Sequence, residues 1–300
     1  MFRKISGICL VMAFAISPSW AGEVDPAPAN LSAAAIVEKN VTARGGLQAW
    51  RAVQTMSMEG KMGVGGNQRA ALPTPSPAPG HEITKQMLPQ RPADEVQLPF
   101  VMDLKRSRKM RFELQFNGQT AVQVYDGTNG WKLRPFLNRR EVEPYTPDEM
   151  KKASMQADLD GPLVDYAAKG TRVDLDGVEK VENRDNYKLK LTMKDGNSVH
   201  VWIDSQTFLE TKIEGQPRTL DGLVHPVEVY YRDFRPVDGL QIPFVLETKV
   251  LPISKVGQKY VSTPVPVERT VIEKVTVNPK FAESLFSKPD AAAVAASNVK

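Results

Sequence analysis

The stretch from Lys109 to Leu133 constrains the fold more than any other. In Lys-Met-Arg-Phe-Glu-Leu-Gln-Phe, Met110, Phe112, Leu114 and Phe116 fall on one side of an extended chain, and Lys109, Arg111, Glu113 and Gln115 on the other. That period of two is a strand pattern; at 3.6 residues per turn the same residues would scatter around a helix. Asn117-Gly118 tolerates positive φ and closes a tight turn, and Thr120 to Tyr125 runs back as a second strand. Asp126-Gly127 and Asn129-Gly130 then turn the chain into Trp131-Lys132-Leu133-Arg134. The result is an antiparallel meander with a large apolar face of Met, Phe, Leu and Trp. Something must cover that face, either the protein's own core or a bound hydrophobic guest.

The segments around it repeat the pattern. Asn30 or Ser32 caps a predicted helix with Ala33, Ile36, Val37 and Val41 on one face, and Arg44-Gly45-Gly46 ends it. Leu47 to Trp50 adds a turn, and Val53 to Val64 reads as a strand with methionines on its apolar side. Gly63 to Gly66 lacks a following Gly-Lys-Ser/Thr, so it is a strand end and not a phosphate loop. Residues 68–99 hold seven prolines and read as a long loop insertion within the domain. Phe100 to Leu104 resumes strand character.

After the meander, Glu141 to Tyr145 is a short strand, and Thr146-Pro147-Asp148-Glu149 is a capping box with proline at the first helical position. A helix should follow, with Met150, Ala153, Ser154 and Ala157 on its apolar side, and a second short helix over Leu163 to Lys169. Tyr187, Leu189, Leu191 and Met193 then alternate as cleanly as the first strand, and further strands reach Val277. Phe281, Leu285 and Phe286 should pack back on the domain, and an Ala-rich end, 288–300, is expected to be a disordered tail. The fold class is mainly β. Roughly ten strands at hairpin spacing exceed what a flat twisted sheet holds comfortably, so the sheet should curl.

The first residues carry an address. Arg3 and Lys4 precede an apolar run from Ile5 to Ile16, Ser17-Pro18 breaks it, and Ser19-Trp20-Ala21 supplies small residues for cleavage. A signal peptide of 1–21 is expected, followed by a flexible leader, 22–31, and one domain over 32–287. The run is too short for a membrane span. Cys9, the single cysteine, lies inside it, so the mature chain would hold no disulfide, thiolate metal site or cysteine nucleophile. Cleavage also removes two of the positive charges behind a formal net charge of +4, which leaves no basis for nucleic-acid binding. A cysteine-free secreted chain fits a bacterial periplasm.

Motifs for catalysis or metal binding are scarce. His81, His200 and His225 stand in a proline loop, a strand and a turn, with no ligand spacing, and His200 reads as a surface residue. Asp158-Leu-Asp160-Gly161 and Asp174-Leu-Asp176-Gly177 begin like calcium loops but lack the later ligands, so both read as turns. No Gly-x-Ser-x-Gly elbow is present. The expectation is a non-enzyme with no cofactor and no metal.

Three stretches carry a family resemblance. Gly45-Gly46-Leu47-Gln48-Ala49-Trp50 leading into a strand, Tyr125 to Trp131, and above all Tyr231-Arg-Asp-Phe-Arg-Pro-Val-Asp-Gly-Leu-Gln-Ile-Pro243 resemble the LolA-type periplasmic proteins that sort lipoproteins to the outer membrane. Trp202 to Lys212 is similar at the matching place, and the order of elements agrees from Ile36 to Phe286. The resemblance implies a strongly curved, half-open antiparallel barrel with short lid helices over its mouth and an interior that takes acyl chains. It also implies lipidated protein or free lipid as guest, with an inner- or outer-membrane protein as further partner. The early-strand arginine that holds the lid in that family has no match, since the first strand offers only Lys61 and the chain reaches Arg69 later.

Burying acyl chain yields about 0.8 kcal/mol per CH₂, on the order of 10 kcal/mol for a long chain, so an apolar concavity is enough. Its candidate lining is Met110, Phe112, Leu114, Phe116, Leu189, Leu191 and Met193, with Trp131 at the rim. The helices between Thr146 and Lys169 are the candidate gate. The alternative is an envelope sensor or protein-interaction module of the same fold with a filled barrel; a hydrolase with an unrecognised site is a third possibility.

Overall fold

The computed structural model describes residues 31–64, 96–135, 139–220, 223–253 and 265–297. The expected signal peptide, the leader up to residue 30 and most of the proline-rich insertion lie outside them. Two helices open the described chain: α1 (Ala33–Ala43), capped by Ser32 Oγ accepting from the Ala35 amide at 3.2 Å, and α2 (Leu47–Ala52). Six strands follow: β1 (Thr55–Val64), β2 (Val96–Lys105), β3 (Lys109–Phe116), β4 (Gln119–Tyr125), β5 (Gly130–Arg134) and β6 (Arg139–Pro144). Helix α3 (Pro147–Gln156) starts in the predicted capping box, with both reciprocal bonds between Thr146 and Glu149 formed. The second run of strands is β7 (Arg172–Val181), β8 (Arg184–Thr192), β9 (Ser198–Asp204), β10 (Glu210–Leu220), β11 (Leu223–Val237), β12 (Leu240–Val250) and β13 (Glu268–Val277), and α4 (Ala291–Ser297) closes the chain.

All thirteen strands, not ten, belong to one antiparallel sheet in the order β6-β5-β4-β3-β2-β1-β13-β12-β11-β10-β9-β8-β7. The sheet does not close into a barrel. Two meanders, β1 to β6 and β7 to β13, meet where β1 pairs with β13, so β6 and β7 are the two outer edges. The connector between those edges, residues 145–171 with α3 in it, therefore has to pass from one edge to the other. Curvature lets it do so. Arg218 of β10 reaches over β11 and β12 to hold Glu268 of β13 through two bonds of 2.6 and 2.7 Å; flat, those strands would lie about 14 Å apart. Gly60 sits at a register shift between β1 and β13, where an added Cβ would stand 2.1 Å from the Val271 carbonyl oxygen. Only glycine permits that close approach at the bend.

The concave face holds the core. Ile36, Val37 and Val41 of α1, Trp50 of α2 and Ala153 of α3 bury against Met56, Phe100, Leu104 and Met110 on one side, and against Tyr187, Leu189, Leu191, Val201 and Ile203 on the other. Fully buried aliphatic residues of this kind contribute about 1.5–3 kcal/mol each, so this layer dominates the stability.

Several sequence expectations change. The first strand begins at Thr55, because Val53 caps α2. Residues 96–99, read as the end of the insertion, already belong to β2, with Pro99 opposite Lys61. Leu163 to Lys169 is a run of turns and not a helix: Leu163 and Val164 are completely buried, and Asp165 takes φ 52°. Asp174 to Gly177 is not a turn between elements but a bulged part of β7. His225 lies in β11, buried, with Nδ1 3.0 Å from the Leu251 carbonyl oxygen. The expected tail contains α4, whose Val294 is buried against Val122, Val124 and Leu133 on the convex face. Phe286 does pack into the domain, edge-on to Phe281.

Candidate functional site

The connector roofs a cleft. Its floor is the concave face of β8, β9 and β10, where Leu191, Met193, Val199 and Ile213 lie side by side, and its roof is Met155 of α3 with residues 158–171. Tyr231 of β11 reaches in from the far side. The cleft measures about 460 Å³, within the range of about 300–1,000 Å³ that small-molecule sites occupy. Met155, Met193 and Val199 also line a neighbouring hollow of about 330 Å³ that continues over Gly215 to Val227 and Leu251. Gly215 matters here, since a Cβ would come 2.8 Å from Val227 Cγ1 and crowd this floor. Lys151, Lys169, Lys194, Asp158 and Asp195 form a charged rim around the apolar floor.

Ion pairs hold the roof at both ends. At its start, Lys132 of β5 donates to both carboxylate oxygens of Glu149 at 2.6 Å. Burial opposes the charge on Glu149, but the bonds from Lys132 and Thr146 prevail and hold its carboxyl below the usual range. At its end, Arg106 grips the buried Asp160 carboxylate with bonds of 2.6 and 2.9 Å and donates to the Trp50 carbonyl at 2.7 Å. Arg44, just after α1, donates to the Asp160 carbonyl at 3.0 Å, pairs with Glu210 at 3.2 Å and stacks on Trp50. Arg51 makes a forked pair with Asp165 at 2.6 and 2.9 Å, which holds that carboxyl low. Lys169 takes both oxygens of Asp158. The calcium-like Asp158-Leu-Asp160-Gly161 is thus a landing pad for basic side chains.

Beneath this roof, Arg44 Nε, Glu210 Oε2 and Asn40 Oδ1 are buried with no hydrogen-bond partner among the described residues. Among the described residues, no three His, Cys, Asp or Glu side chains converge as a metal set.

The eight residues singled out from the sequence separate. Leu191 and Met193 line the cleft, and Leu189 is buried next to them in the core. Met110 is also core; Phe112 and Leu114 are half-buried on the other half of the concavity, where Phe112 stacks on Phe100 at 5.9 Å. Phe116 lies at the end of β3 against Gln97 to Pro99. Trp131 is on the wrong face altogether. Met110 pairs with Tyr125 and Tyr125 with Gly130, so Gly130 faces the concavity and Trp131 the convex cluster beneath α4. Ile213, Tyr231, Met155 and the arginine latch were missed. His200 is half-buried on the convex face, between Glu214 at 3.0 Å and Asp176 at 3.2 Å.

No family model and no curated protein matches the chain. Solved structures do match its shape. A LolA superfamily protein from Nitrosomonas europaea superposes with a TM-score of 0.50 at 13% identity, over 86% of this chain and 99% of that one. The fold is LolA-like. A DUF1329 family protein from Desulfovibrio piger gives 0.51 at 11% identity, covering 86% and 98%. A domain assigned to outer membrane lipoprotein sorting from Vibrio parahaemolyticus gives 0.50 at 10% identity, covering 88% and 98%. At 10–13% identity these matches are likenesses of fold.

Proposed function

We propose that this LolA-like chain is a non-enzymatic binder or carrier of acyl chains, of lipidated protein or free lipid, acting in the periplasm. The observation that carries the reading is the apolar-floored cleft under a roof held by ion pairs and by the buried side chains of Ala153, Ala157, Leu163 and Val164. Apolar walls bind an alkyl chain without directional contacts, and a roof that supplies no strand to the sheet can lift by releasing those pairs and that apolar layer while the strand pairing stays intact. Arg106, Arg44 and Arg51 on one side and Lys132 on the other act as the latch, and the connector is the gate. An inner- or outer-membrane partner protein would load and unload it; nucleic acid has no place in this scheme.

The second reading, an interaction module with a filled barrel, draws on a specific observation: buried residues of α1, α2 and α3 already pack against the concave face, and Leu189 and Leu191 are fully buried. The test is native mass spectrometry of protein purified without detergent, with organic extraction of bound material and uptake of an apolar dye. Bound lipid that the dye displaces, lost in Met193→Asp and Val199→Asp variants that remain folded, supports the binder. A clean apo mass with no dye uptake supports the filled module.

A further inference from the structure

The eight methionines among the described residues all lie on the concave side of the sheet or in the roof above it. Met56 and Met110 are core, 3% and 1% exposed. Met58, Met62, Met102 and, from α3, Met150 pack half-buried against that core. Met155 and Met193 are set apart from these, because they line the cleft, one in the roof and the other in the floor. Both also line the neighbouring hollow, so they belong to the wall that the two spaces share. Each is half-buried, and solvent reaches it. Gln216 of β10 donates to the Met155 sulfur at 3.6 Å, which holds that thioether against the sheet; the Met193 sulfur accepts no hydrogen bond among the described residues. A thioether packs on an alkyl chain as an apolar group, yet a two-electron oxidant makes it polar without breaking the chain. No cysteine stands among the described residues to react first.

We propose that Met155 and Met193 form an oxidation site that empties the cleft: hypochlorous acid converts both thioethers to sulfoxides, and the apolar guest is released. This rests on the acyl-binding reading above and adds a control to it. At each sulfur a lone pair forms the S–O bond as the O–Cl bond of the acid breaks; the sulfur is oxidised by two electrons, and chloride and a proton leave. Roof and floor then each carry a strong acceptor. Gln216 can follow the new oxygen on Met155, but the oxygen on Met193 would be pressed against the guest with its water lost and no donor gained, and that cost falls on the bound state. A methionine sulfoxide reductase reverses the change, two thiols giving up their hydrogens to yield thioether, water and a disulfide.

The experiment treats the folded protein with hypochlorous acid at low molar excess, maps the added oxygen by peptide mass spectrometry and titrates an apolar dye. Oxygen should appear on Met155 and Met193 while Met56 and Met110 stay unmodified, with circular dichroism unchanged. Dye affinity should fall about 10-fold, the effect of one polar group desolvated without a partner. Met155→Leu combined with Met193→Leu, swaps that conserve volume, should bind dye before treatment and keep its affinity afterwards, although Met58, Met62, Met102 and Met150 remain oxidisable. Reductase with thiol should restore the affinity of the treated natural chain. A cleft pair that stays unmodified or reacts no earlier than Met56 and Met110, undiminished uptake once both cleft sulfurs are oxidised, or an equal loss in the double variant overturns the site and leaves acyl binding standing. No dye uptake by untreated folded protein overturns acyl binding itself, and the release with it.

Discussion

Asp160 is the side chain on which the roof turns. It is 2% exposed, accepts two bonds from Arg106, and its carbonyl accepts from Arg44 across 116 positions of sequence. Replacing it with asparagine keeps the shape but removes the charge that matches Arg106. Asp160→Asn should lower stability by about 1.5–3 kcal/mol, the worth of hydrogen bonds to charged groups, read from urea unfolding, and should speed dye entry in stopped-flow fluorescence. Unchanged entry in a destabilised variant would separate the latch from the gate. Leu191→Ala should cost about 2–5 kcal/mol as a core cavity. At this scale the sequence shows Leu191, Met193 and Val199 through alternation. It does not show Ile213 or Tyr231, because a register shift between Glu210 and Lys212 moves the faces of β10 relative to β9, and a bulge leaves no mark in composition. Trp131 was legible: carrying the pairing through Asp126 to Gly130 places Gly130, and not Trp131, on the face of Met110.

Among the elements, α3 has an attachment that depends on pH. Glu149 is held below its ordinary value of 4.5 by Lys132 and Thr146, against the opposing effect of burial. A depressed carboxyl contributes stability above its unfolded value and loses it as pH falls through the folded one. Acidification below 4.5 should therefore loosen α3, seen as faster amide exchange across Pro147–Gln156, and Glu149→Gln should flatten that acid limb. A limb equally steep in the variant would assign the effect to other carboxylates. Helix α4 makes a different case. Its Ala-rich sequence has the look of a tail, yet Val294 is buried on the convex strip. Val294→Asp should lower stability by about 1.5–3 kcal/mol, the value of one buried aliphatic side chain; an unchanged melting temperature would mean that the strip needs no cover.

For the whole molecule, a guest bound only by the folded state must stabilise it. At a free concentration of about 100 times Kd the gain is about 2.7 kcal/mol, and at about 2–4 °C per kcal/mol for a domain of this size the melting temperature should rise by roughly 5–10 °C. A bound acyl probe that leaves the midpoint fixed would bind the unfolded chain equally well and could not occupy the cleft. The amino-acid sequence determined the mainly β class and about ten of the thirteen strands, the capping box of α3 and the LolA-like order of elements, because period-two alternation, turn residues and caps are local signals. Tertiary structure alone decided which apolar face is core and which is cleft. That distinction depends on the curl of a thirteen-stranded sheet, on the β1–β13 pairing that makes β6 and β7 the edges, and on ion pairs such as Arg44–Glu210 and Arg106–Asp160, whose partners are brought together only when the chain has closed over itself.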